Sequence, residues 1–376
     1  MTSPVSLLRQ LIRIDSTNSA PLCDGAACRV GAEREMARFV ADWLDQRGFG
    51  VEIQEVAPTR PSIIARRSGR DGGGPTLAFE AHLDTVGVEG MDSPFDPHLA
   101  DGRIYGRGAV DAKGSLAAML VALERLAEEN LPLNLVFIGA CAEETGCEGI
   151  ARLSMGSWPE MAVVGEPTSN RPVAAHKGFV WFDVAVEGET GHSSDPGSGQ
   201  NAIMRACQLI DFLHRWADEN LADLSDADFE ASTLSVNRIR GGSRVNASPS
   251  QCTFSVDIRL IPKARGEGVL EEIRETLAEE FGFPVELDRI RIAPGLRRVD
   301  NGRIAGLLAR AAGRCESPGA VHYCSDAGVL QQHGVDCAVF GPGSIREAHG
   351  NTEWIETEEL ERAVDILCEA AELTVR

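Results

Sequence analysis

The stretch TLAFEAHLD, residues 76–84, combines a short β-rich run with two residues that suit a metal site. The run Thr76–Glu80 predicts a strand, and His82 and Asp84 follow it. Because these two residues are two positions apart at a strand end, their side chains point to the same side. An Asp in that position can hold the second ring nitrogen of a metal-bound His and so fix its tautomer. A His-x-Asp pair alone is more often a strand end without metal, so the prediction depends on the rest of the chain.

Two later apolar runs are also followed by acidic residues. Leu133–Ala140 precedes Glu143 and Glu144, and Met161–Val164 precedes Glu166. Continuous apolar runs of this length are typical of strands that are buried on both faces of an α/β sheet. Ligands of open α/β sheets bind at the carboxyl ends of the strands. We therefore predict an α/β fold with these motifs at the ligand-binding edge of its sheet.

Two further residues extend the set of candidate ligands. Asp111 ends the stretch GRGAVD and precedes a predicted helix, Ser115–Asn130. His349 follows a Gly-rich turn at residues 341–344. The glycines before Asp111 do not form a phosphate loop, because a carboxylate stands where that fingerprint has its third glycine.

Each of these residues has an ordinary alternative when it is taken alone. Asp111 would cap the helix, Glu143, Glu144 and Glu166 would be solvated loop charges, and His349 would be structural. As a set, two His and several carboxylates without a thiolate suit zinc, cobalt or manganese at a catalytic site. One carboxylate is too many for a single tetrahedral metal, which predicts two metals with a bridging carboxylate and one Glu left over as a base. We favour Asp111 as the bridge because it lies between two other motifs.

The middle of the chain has a different pattern of elements. Its strands and helices are predicted at Phe179–Val186, Asn201–Asn220, Thr233–Ile239, Thr253–Ile261, Gly266–Phe281 and Val285–Ile292. This β-α-β-β-α-β order is ferredoxin-like. The α/β pattern resumes after about Ala293, and His349 lies in that later part. The chain is therefore predicted to have a catalytic domain at 1–177 and 293–376 with a second domain, 178–292, inserted into it.

The ends of the catalytic domain show simpler signals. An amphipathic helix is predicted at 29–48, with strands at Val51–Val56 and Ser62–Ala65 after it. Near the end, an apolar run, Val335–Phe340, is followed by a closing helix at Thr357–Leu373.

Bulk composition excludes several classes of partner. The 376 residues carry a formal net charge of −21, and nucleic acids and anionic membranes both require clustered Lys and Arg. No apolar run approaches the length of a transmembrane helix, and residues 1–20 lack the apolar core of a signal peptide. We therefore predict a cytoplasmic protein. Its ten Cys include no Cys-x-x-Cys pair, and we predict buried apolar thiols in preference to disulfides.

The order of the motifs resembles that of the M20 metallopeptidase family. The motifs are His82-Leu83-Asp84, the GRGAVD stretch ending at Asp111, Glu143-Glu144-Thr145, Gly165-Glu166-Pro167-Thr168, Gly191-His192-Ser193-Ser194 and Ala348-His349. Each motif is weak alone, and their combination in this order is very specific. The resemblance runs from about His82 to the C-terminus. It implies a zinc-peptidase-like open mixed sheet with helices on both faces, plus a ferredoxin-like α+β lid and dimerisation domain.

The resemblance also implies roles for the candidate ligands. Asp111 would bridge two divalent ions, which would be zinc, with cobalt or manganese as alternatives. The remaining ligands would be His82 and Glu166 for one ion and Glu144 and His349 for the other. Glu143 would be the general base, and Asp84 would support His82.

Further roles concern the substrate. His192 would reach the active site of the partner subunit in a homodimer and steady the oxyanion. Arg259 and Asn246 match positions that hold a substrate carboxylate, and we add Gly343 and Ser344 to the substrate-binding set. The ordinary alternative for Arg259 is a charge on the open face of a strand.

Within the family, the chain is most similar to the acetylornithine deacetylase branch. The matching stretches are residues 165–168, 175–178, 191–196, 323–324 and 341–345. The sequence departs from that branch at Ser325-Asp326, where those enzymes carry Thr-Glu, and at Gly350-Asn351-Thr352. The implied reaction converts N-acetyl-L-ornithine to L-ornithine and acetate, a step of arginine biosynthesis.

Two alternatives to this reaction remain open. One is another specificity of the family, namely a succinyl-diaminopimelate desuccinylase, an aminoacylase, a dipeptidase or a carboxypeptidase. The other is a metal-binding module without turnover. The presence of Glu143 argues against the second, because a protein that only binds metal has no use for a base beside Glu144.

Overall fold

The computed structural model describes residues 1–18, 32–57, 59–194, 200–300, 302–313 and 317–376. They fall into two compact units. Unit 1 comprises Met1–Ala174, Arg298–Gly319 and Ser325–Arg376, and unit 2 comprises Ala175–Arg297 and Ala320–Cys324. The first residues of the helix predicted at 29–48, residues 29–31, lie outside the described part of the chain.

Eight strands form the largest sheet. They are β1 (Gly50–Ala57), β2 (Arg60–Arg67), β3 (Thr76–His82), β6 (Asn134–Ala140), β7 (Met161–Val164), β8 (Val173–His176), β13 (Gly319–Val321) and β14 (Asp336–Val339). Their order is β1-β2-β6-β3-β7-β14-β8-β13. β6, β3, β7 and β14 pair in parallel, whereas β1, β2 and β6 pair antiparallel. The sheet is therefore mixed, as predicted.

The parallel strands end at one edge of the sheet. His82 of β3 lies opposite Ala140 of β6, and Glu80 lies opposite Val164 of β7. The segments that follow β3, β6 and β7 therefore leave the sheet side by side. This register places the His82, Glu143 and Glu166 motifs at neighbouring positions, where open α/β sheets bind their ligands.

Helices cover this sheet on both faces. In unit 1 they are α1 (Pro4–Ile12), α2 (Ala32–Asp45), α3 (Lys113–Glu129), α4 (Glu148–Ala151), α7 (Ile304–Ala311), α8 (Ala327–Gln332) and α9 (Thr357–Leu373). Side chains of α1, α2, α3, α7 and α9 share one core with Leu77 and Phe79 of β3. Ile150 of α4 and Leu330 of α8 are buried outside that core, where α4 packs on β2 and α8 on β7 and β14. The prediction of helices on both faces is confirmed.

A small second sheet in unit 1 was absent from the prediction. It consists of β4 (His98–Ala100), β5 (Arg103–Tyr105) and β15 (Trp354–Glu356), with β5 in the centre. β15 pairs antiparallel with β5, so that Trp354 lies opposite Tyr105. This pairing brings the segment that follows His349 beside the segment that precedes Asp111.

Unit 2 has a four-stranded antiparallel sheet with two helices. Its elements are β9 (Gly178–Glu187), α5 (Ala202–Asn220), β10 (Thr233–Gly241), β11 (Gln251–Leu260), α6 (Gly266–Glu280) and β12 (Val285–Ala293), and the strand order is β10-β11-β9-β12. Every second residue of β11 is buried, and Phe254 packs in one core with Leu213 of α5 and Ile273 of α6. This is the predicted ferredoxin-like arrangement.

Two further predictions can be compared with the described residues. None of their helices is both long and apolar enough to cross a lipid bilayer. All seven of their cysteines are free thiols, and most are buried, but Cys207 is exposed on α5. The prediction that the cysteines are buried apolar residues is therefore wrong for Cys207, and Cys324 is only half-buried.

Candidate metal centre

The five predicted metal ligands lie together in unit 1, around Asp111. One carboxylate oxygen of Asp111, Oδ1, is 3.0 Å from Nε2 of His82, and the other, Oδ2, is 3.1 Å from Nε2 of His349. His349 Nε2 is also 3.2 Å from Oε1 of Glu144, and His82 Nε2 is 4.0 Å from Oε1 of Glu166. Each oxygen of Asp111 therefore faces one imidazole, and each imidazole has a second carboxylate beside it.

The charges around Asp111 are crowded. Burial, and then the negative charge of Asp111, raises the pKa of Glu144 and raises that of Glu166 well above its ordinary value. Burial lowers the pKa of His82, but its hydrogen bonds with Asp111 and Asp84 outweigh this effect, so the pKa lies well above its usual range. Divalent cations among these oxygen and nitrogen atoms would offset the repulsion. The donor set fits zinc, cobalt or manganese.

Asp84 lies against His82 and also against the segment that carries Glu143 and Glu144. The backbone oxygen of Asp84 lies 3.0 Å from Nδ1 of His82, whereas its carboxylate oxygen Oδ1 is 3.5 Å away. That carboxylate accepts hydrogen bonds from Asn18 Nδ2 (2.7 Å) and from the backbone N–H groups of Glu143 (3.1 Å) and Glu144 (3.2 Å). Asp84 therefore contacts the second ring nitrogen of His82 with its backbone oxygen and its carboxylate, and that carboxylate also anchors the Glu143-Glu144 segment.

The two adjacent glutamates belong to different groups of side chains. Glu144 lies with His82 and Asp111, with ligand atoms within 4.8 Å of one another. Glu143 instead lies with Cys147, whose thiol donates to Glu143 Oε1 at 3.6 Å. Burial, and then the charge of Glu166, raises the pKa of Glu143 well above its ordinary value. A carboxylate with a raised pKa is suited to accept a proton near neutral pH.

Glu353 is a component of the site that the sequence did not reveal. Its carboxylate accepts hydrogen bonds from the backbone N–H groups of Gly108 (3.0 Å), Val110 (2.8 Å) and Asp111 (3.0 Å), and from Arg107 Nη1 (2.7 Å). Its side chain is fully buried. Glu353 therefore holds the loop that presents Asp111. The signal in the sequence is Arg107 between two glycines, but nothing local identifies its partner 246 positions away.

Gly343 and Ser344 also lie in unit 1, beside the segment that follows Glu166. The backbone oxygen of Gly343 accepts from the N–H of Ser169 at 2.6 Å, and its own N–H donates to Glu359 Oε2 at 3.0 Å. Gly343 has φ of +80°, and a Cβ at this position would lie 2.1 Å from a methyl carbon of Val110. The contacts in the structure give this turn a structural role in fixing the loop after β7.

The remaining predicted residues lie in unit 2. His192 is exposed, and its Nδ1 is 2.7 Å from Oγ of Ser194. Ser193 donates its N–H to the backbone oxygen of Asn246 at 3.2 Å, which places Asn246 beside the His192 segment. Arg259 lies on β11, where its Nε is 3.0 Å from Oδ1 of Asp257. Residues 195–199, which the resemblance includes in the His192 loop, lie outside the described part of the chain.

Comparison with known sequences identifies relatives along most of the chain. Residues 78–373 match the sequence profile of peptidase family M20/M25/M40, and this span includes all five predicted ligands. An acetylornithine deacetylase of Myxococcus xanthus is 32% identical over 385 residues, which covers 96% of this chain and 95% of that protein. An acetylornithine deacetylase of Vibrio campbellii is 31% identical over 343 residues, with coverage of 88% and 89%.

Solved structures share the fold. An M20 family metallo-carboxypeptidase from Sulfolobus solfataricus matches with a TM-score of 0.79 at 16% identity, covering 100% of this chain and 99% of that one. A dinuclear metal binding peptidase of the M20 family from Bacillus subtilis matches with a TM-score of 0.63 at 18% identity, covering 99% and 97%. These similarities confirm the resemblance that the motifs predicted.

Proposed function

Because the chain belongs to peptidase family M20/M25/M40, we propose that its metal-dependent amide hydrolysis removes the acetyl group from N-acetyl-L-ornithine, with L-ornithine and acetate as products. The observation that carries this proposal is the arrangement around Asp111, whose two carboxylate oxygens each face one imidazole. The substrate is inferred from two relatives that are named acetylornithine deacetylase. This chain aligns with 95% and 89% of their lengths.

In this proposal two ions occupy the centre, and zinc is the first choice, with cobalt or manganese as alternatives. Asp111 would bridge them. His82 and Glu166 would complete the ligands of one ion, and Glu144 and His349 those of the other. The dinuclear centre of the Bacillus subtilis relative supports this number of ions.

The residues of the chain divide the chemistry among them. When bound, the ions lower the pKa of a water molecule and polarise the amide carbonyl. Glu143 would take a proton from the attacking water and pass it to the leaving amine. The carboxylate of Asp84 accepts hydrogen bonds from the backbone N–H groups of residues 143 and 144 and so holds Glu143 in position. Arg259 and Asn246 hold the substrate carboxylate, and His192 of the partner subunit steadies the oxyanion in a cytoplasmic homodimer.

The experiment that tests this proposal is a substrate panel. The purified protein, loaded with zinc or cobalt, is assayed with N-acetylornithine, N-succinyl-diaminopimelate, N-acetylmethionine and a dipeptide. We expect the highest kcat/KM with N-acetylornithine. The departure at Ser325-Asp326 is the reason for including substrates of the other specificities of the family in the panel. Asp326 is buried beside Glu143 and Cys147. A higher kcat/KM for any other compound in the panel would replace acetylornithine as the substrate, and no hydrolysis of any compound would refute the function.

A further inference from the structure

A second cluster of metal-binding side chains lies beside Glu143 in unit 1. Oxygen atoms of Glu143 and Asp326 and the sulfur of Cys147 all lie within 4.8 Å of one another. Cys147 and Asp326 are each 1% exposed. No catalytic or metal-binding role proposed above uses Cys147 or Asp326, so the cluster requires a separate explanation.

Asp326 has an unsatisfied carboxylate that is directed into this cluster. Within the described parts of the chain, neither of its carboxylate oxygens has a hydrogen-bond partner of normal geometry. Burial raises its pKa to about 7, and contacts with the Cys147 thiol and with the buried carboxyl of Glu80 oppose that rise. A buried carboxylate that has no hydrogen bond of normal geometry and lies beside a second buried carboxyl, that of Glu80, is costly to keep charged. A positively charged ligand between Asp326, Cys147 and Glu143 would remove that cost.

The spacing of the donor atoms fits a small divalent ion. A zinc ion bound tetrahedrally to a thiolate at about 2.3 Å and to a carboxylate oxygen at about 2.0 Å holds those two atoms about 3.5 Å apart. The sulfur of Cys147 and Oε1 of Glu143 are 3.6 Å apart. The protein therefore presents two of the three donors at the required separation without any rearrangement.

We propose that Glu143, Cys147 and Asp326 form an additional cation site for zinc, or for another divalent ion that accepts a thiolate ligand, and that its occupation inhibits the enzyme. On binding, the Cys147 S–H bond breaks, its proton passes to solvent, and the freed electron pair of the sulfur binds the ion, with no change of oxidation state. The ion also binds the carboxylate of Glu143, which can then no longer accept the proton of the attacking water. The inhibition, but not the binding, rests on the proposed function.

Cobalt distinguishes this site from the centre around Asp111. The ligands proposed for that centre are imidazoles and carboxylates, so a cobalt–thiolate bond, which absorbs in the near ultraviolet by charge transfer, can arise only elsewhere. The wild-type protein is loaded with two equivalents of Co²⁺ and then titrated with more. We expect a near-ultraviolet charge-transfer band that grows with the third equivalent, together with a third bound ion by elemental analysis after gel filtration.

Three variants test the assignment. Cys147→Ser keeps the size of the side chain and a donor to Glu143 but lacks the sulfur, and Asp326→Asn removes the second carboxylate. Both should lose the third ion, and Cys147→Ser should also lose the band. Cys207→Ser, which removes the exposed thiol of α5, should retain both. Binding that stops at two ions without a band, or a band of full strength in Cys147→Ser, would overturn the proposal.

Inhibition supplies a second readout. Each protein is assayed in excess zinc, and its rate is expressed relative to its own rate with two equivalents. Since losing a partner outside the ligand set already costs about 10–100-fold in metal affinity, half-inhibition of Cys147→Ser should require at least about 10-fold more zinc than wild type. Excess Mg²⁺, which avoids thiolates, should not inhibit. Equal inhibition of both proteins by zinc would refute the inhibitory role. A thiolate band in a protein that hydrolyses no N-acyl amino acid would refute the proposed function and leave the cation site standing.

Discussion

The predicted functional residues of unit 1 contact one another, whereas those of unit 2 are bonded to their own neighbours. The side chain of Asp111 is 8% exposed and lies between two imidazoles. In unit 2 the side chain of Arg259 is 31% exposed and pairs with Asp257 on its own strand. Repulsion among the buried carboxylates of unit 1 identifies a cation as the missing partner. The contacts of His192 and Arg259 are with residues of unit 2, so their geometry does not reveal what they bind.

The largest expected effect is on kcat. It tests whether Glu143 serves in proton transfer and not in metal binding. Glu143→Gln keeps the shape of the side chain but cannot accept a proton, and losing a general base costs about 10²–10⁴-fold in rate. We expect kcat to fall by that factor while the protein still binds two ions at the centre around Asp111. Steady-state kinetics and elemental analysis measure the two quantities. The control is Glu148→Gln, a glutamate of α4 that pairs with Arg152. Glu143→Gln with near-normal kcat would refute the role of the base.

The second effect is on the free energy of unfolding. It tests how much Glu353 stabilises the loop that presents Asp111. Glu353→Gln leaves the guanidinium of Arg107, 3% exposed, buried without its counter-charge, and breaking a buried ion pair costs about 3–5 kcal/mol. The free energy of unfolding, from urea denaturation of the metal-free protein, should fall by that amount. The control, Glu356→Gln, breaks the half-exposed pair with Arg103, which should cost at most about 1 kcal/mol. Similar losses in the two variants would mean that Glu353 has no special part in the loop.

Part of the centre of unit 1 was predictable because His82, Glu144 and Glu166 each end or follow a strand-like run. The apolar runs before Glu143 and Glu166 coincide with β6 and β7, and the strand before His82 coincides with β3. Parallel strands bring residues that follow different runs to one edge, whereas Asp111 and His349 joined the set through the order of the motifs. Glu353 was not predictable, because its role depends on the pairing of β15 with β5, which joins distant parts of the chain.

The missed helix α1 (Pro4–Ile12) is a different case, since its signals are local. Ser3 accepts a hydrogen bond from the N–H of Ser6 and Pro4 begins the helix, while Leu7, Leu8 and Leu11 are buried. A serine cap before proline and apolar residues at helical spacing predict a helix start. In unit 2 the strands and helices were predictable from alternation and period. The roles of its side chains were not, because they depend on a substrate or a second subunit.

The third effect tests the role of unit 2 across a dimer. Removing an oxyanion donor costs about 10²–10³-fold in kcat, which we expect for His192→Ala. Mixing this variant with Glu143→Gln should restore activity, because a mixed dimer combines an intact Glu143 of one chain with an intact His192 of the other. Random exchange between symmetric dimers limits the recovery to about a quarter of wild-type activity.

This mixing experiment has its own controls. A pull-down through a tag on one variant confirms that subunits exchange, and Ser194→Ala tests whether the hydroxyl beside His192 Nδ1 contributes. A mixture that exchanges subunits and stays as inactive as its parents would show that His192 serves its own subunit or only shapes its loop. Unit 2 would then contribute nothing to the metal centre of the partner subunit.

The smallest expected effect tests whether Arg259 is a substrate group or an ordinary paired charge. Hydrogen bonds to charged groups contribute about 1.5–3 kcal/mol, so Arg259→Gln should raise KM about 10–150-fold if the guanidinium holds a substrate carboxylate. Its kcat should change less than its KM, because the carboxylate takes no part in the bonds that form and break at the amide. Arg259→Lys should recover only part of this loss, since a lysine cannot bind a carboxylate with two parallel hydrogen bonds.

Arg238 is the matched control for Arg259. It lies on β10 of the same sheet, its side chain is 32% exposed, and it pairs with Asp183 as Arg259 pairs with Asp257. If pairing within the sheet were the whole role of such an arginine, Arg238→Gln and Arg259→Gln would have the same KM. A rise in KM that is confined to Arg259→Gln would show that it has a function beyond its ion pair. It would also explain why the geometry of unit 2 does not reveal that function, since Asp257 then holds the guanidinium only until a substrate carboxylate competes for it.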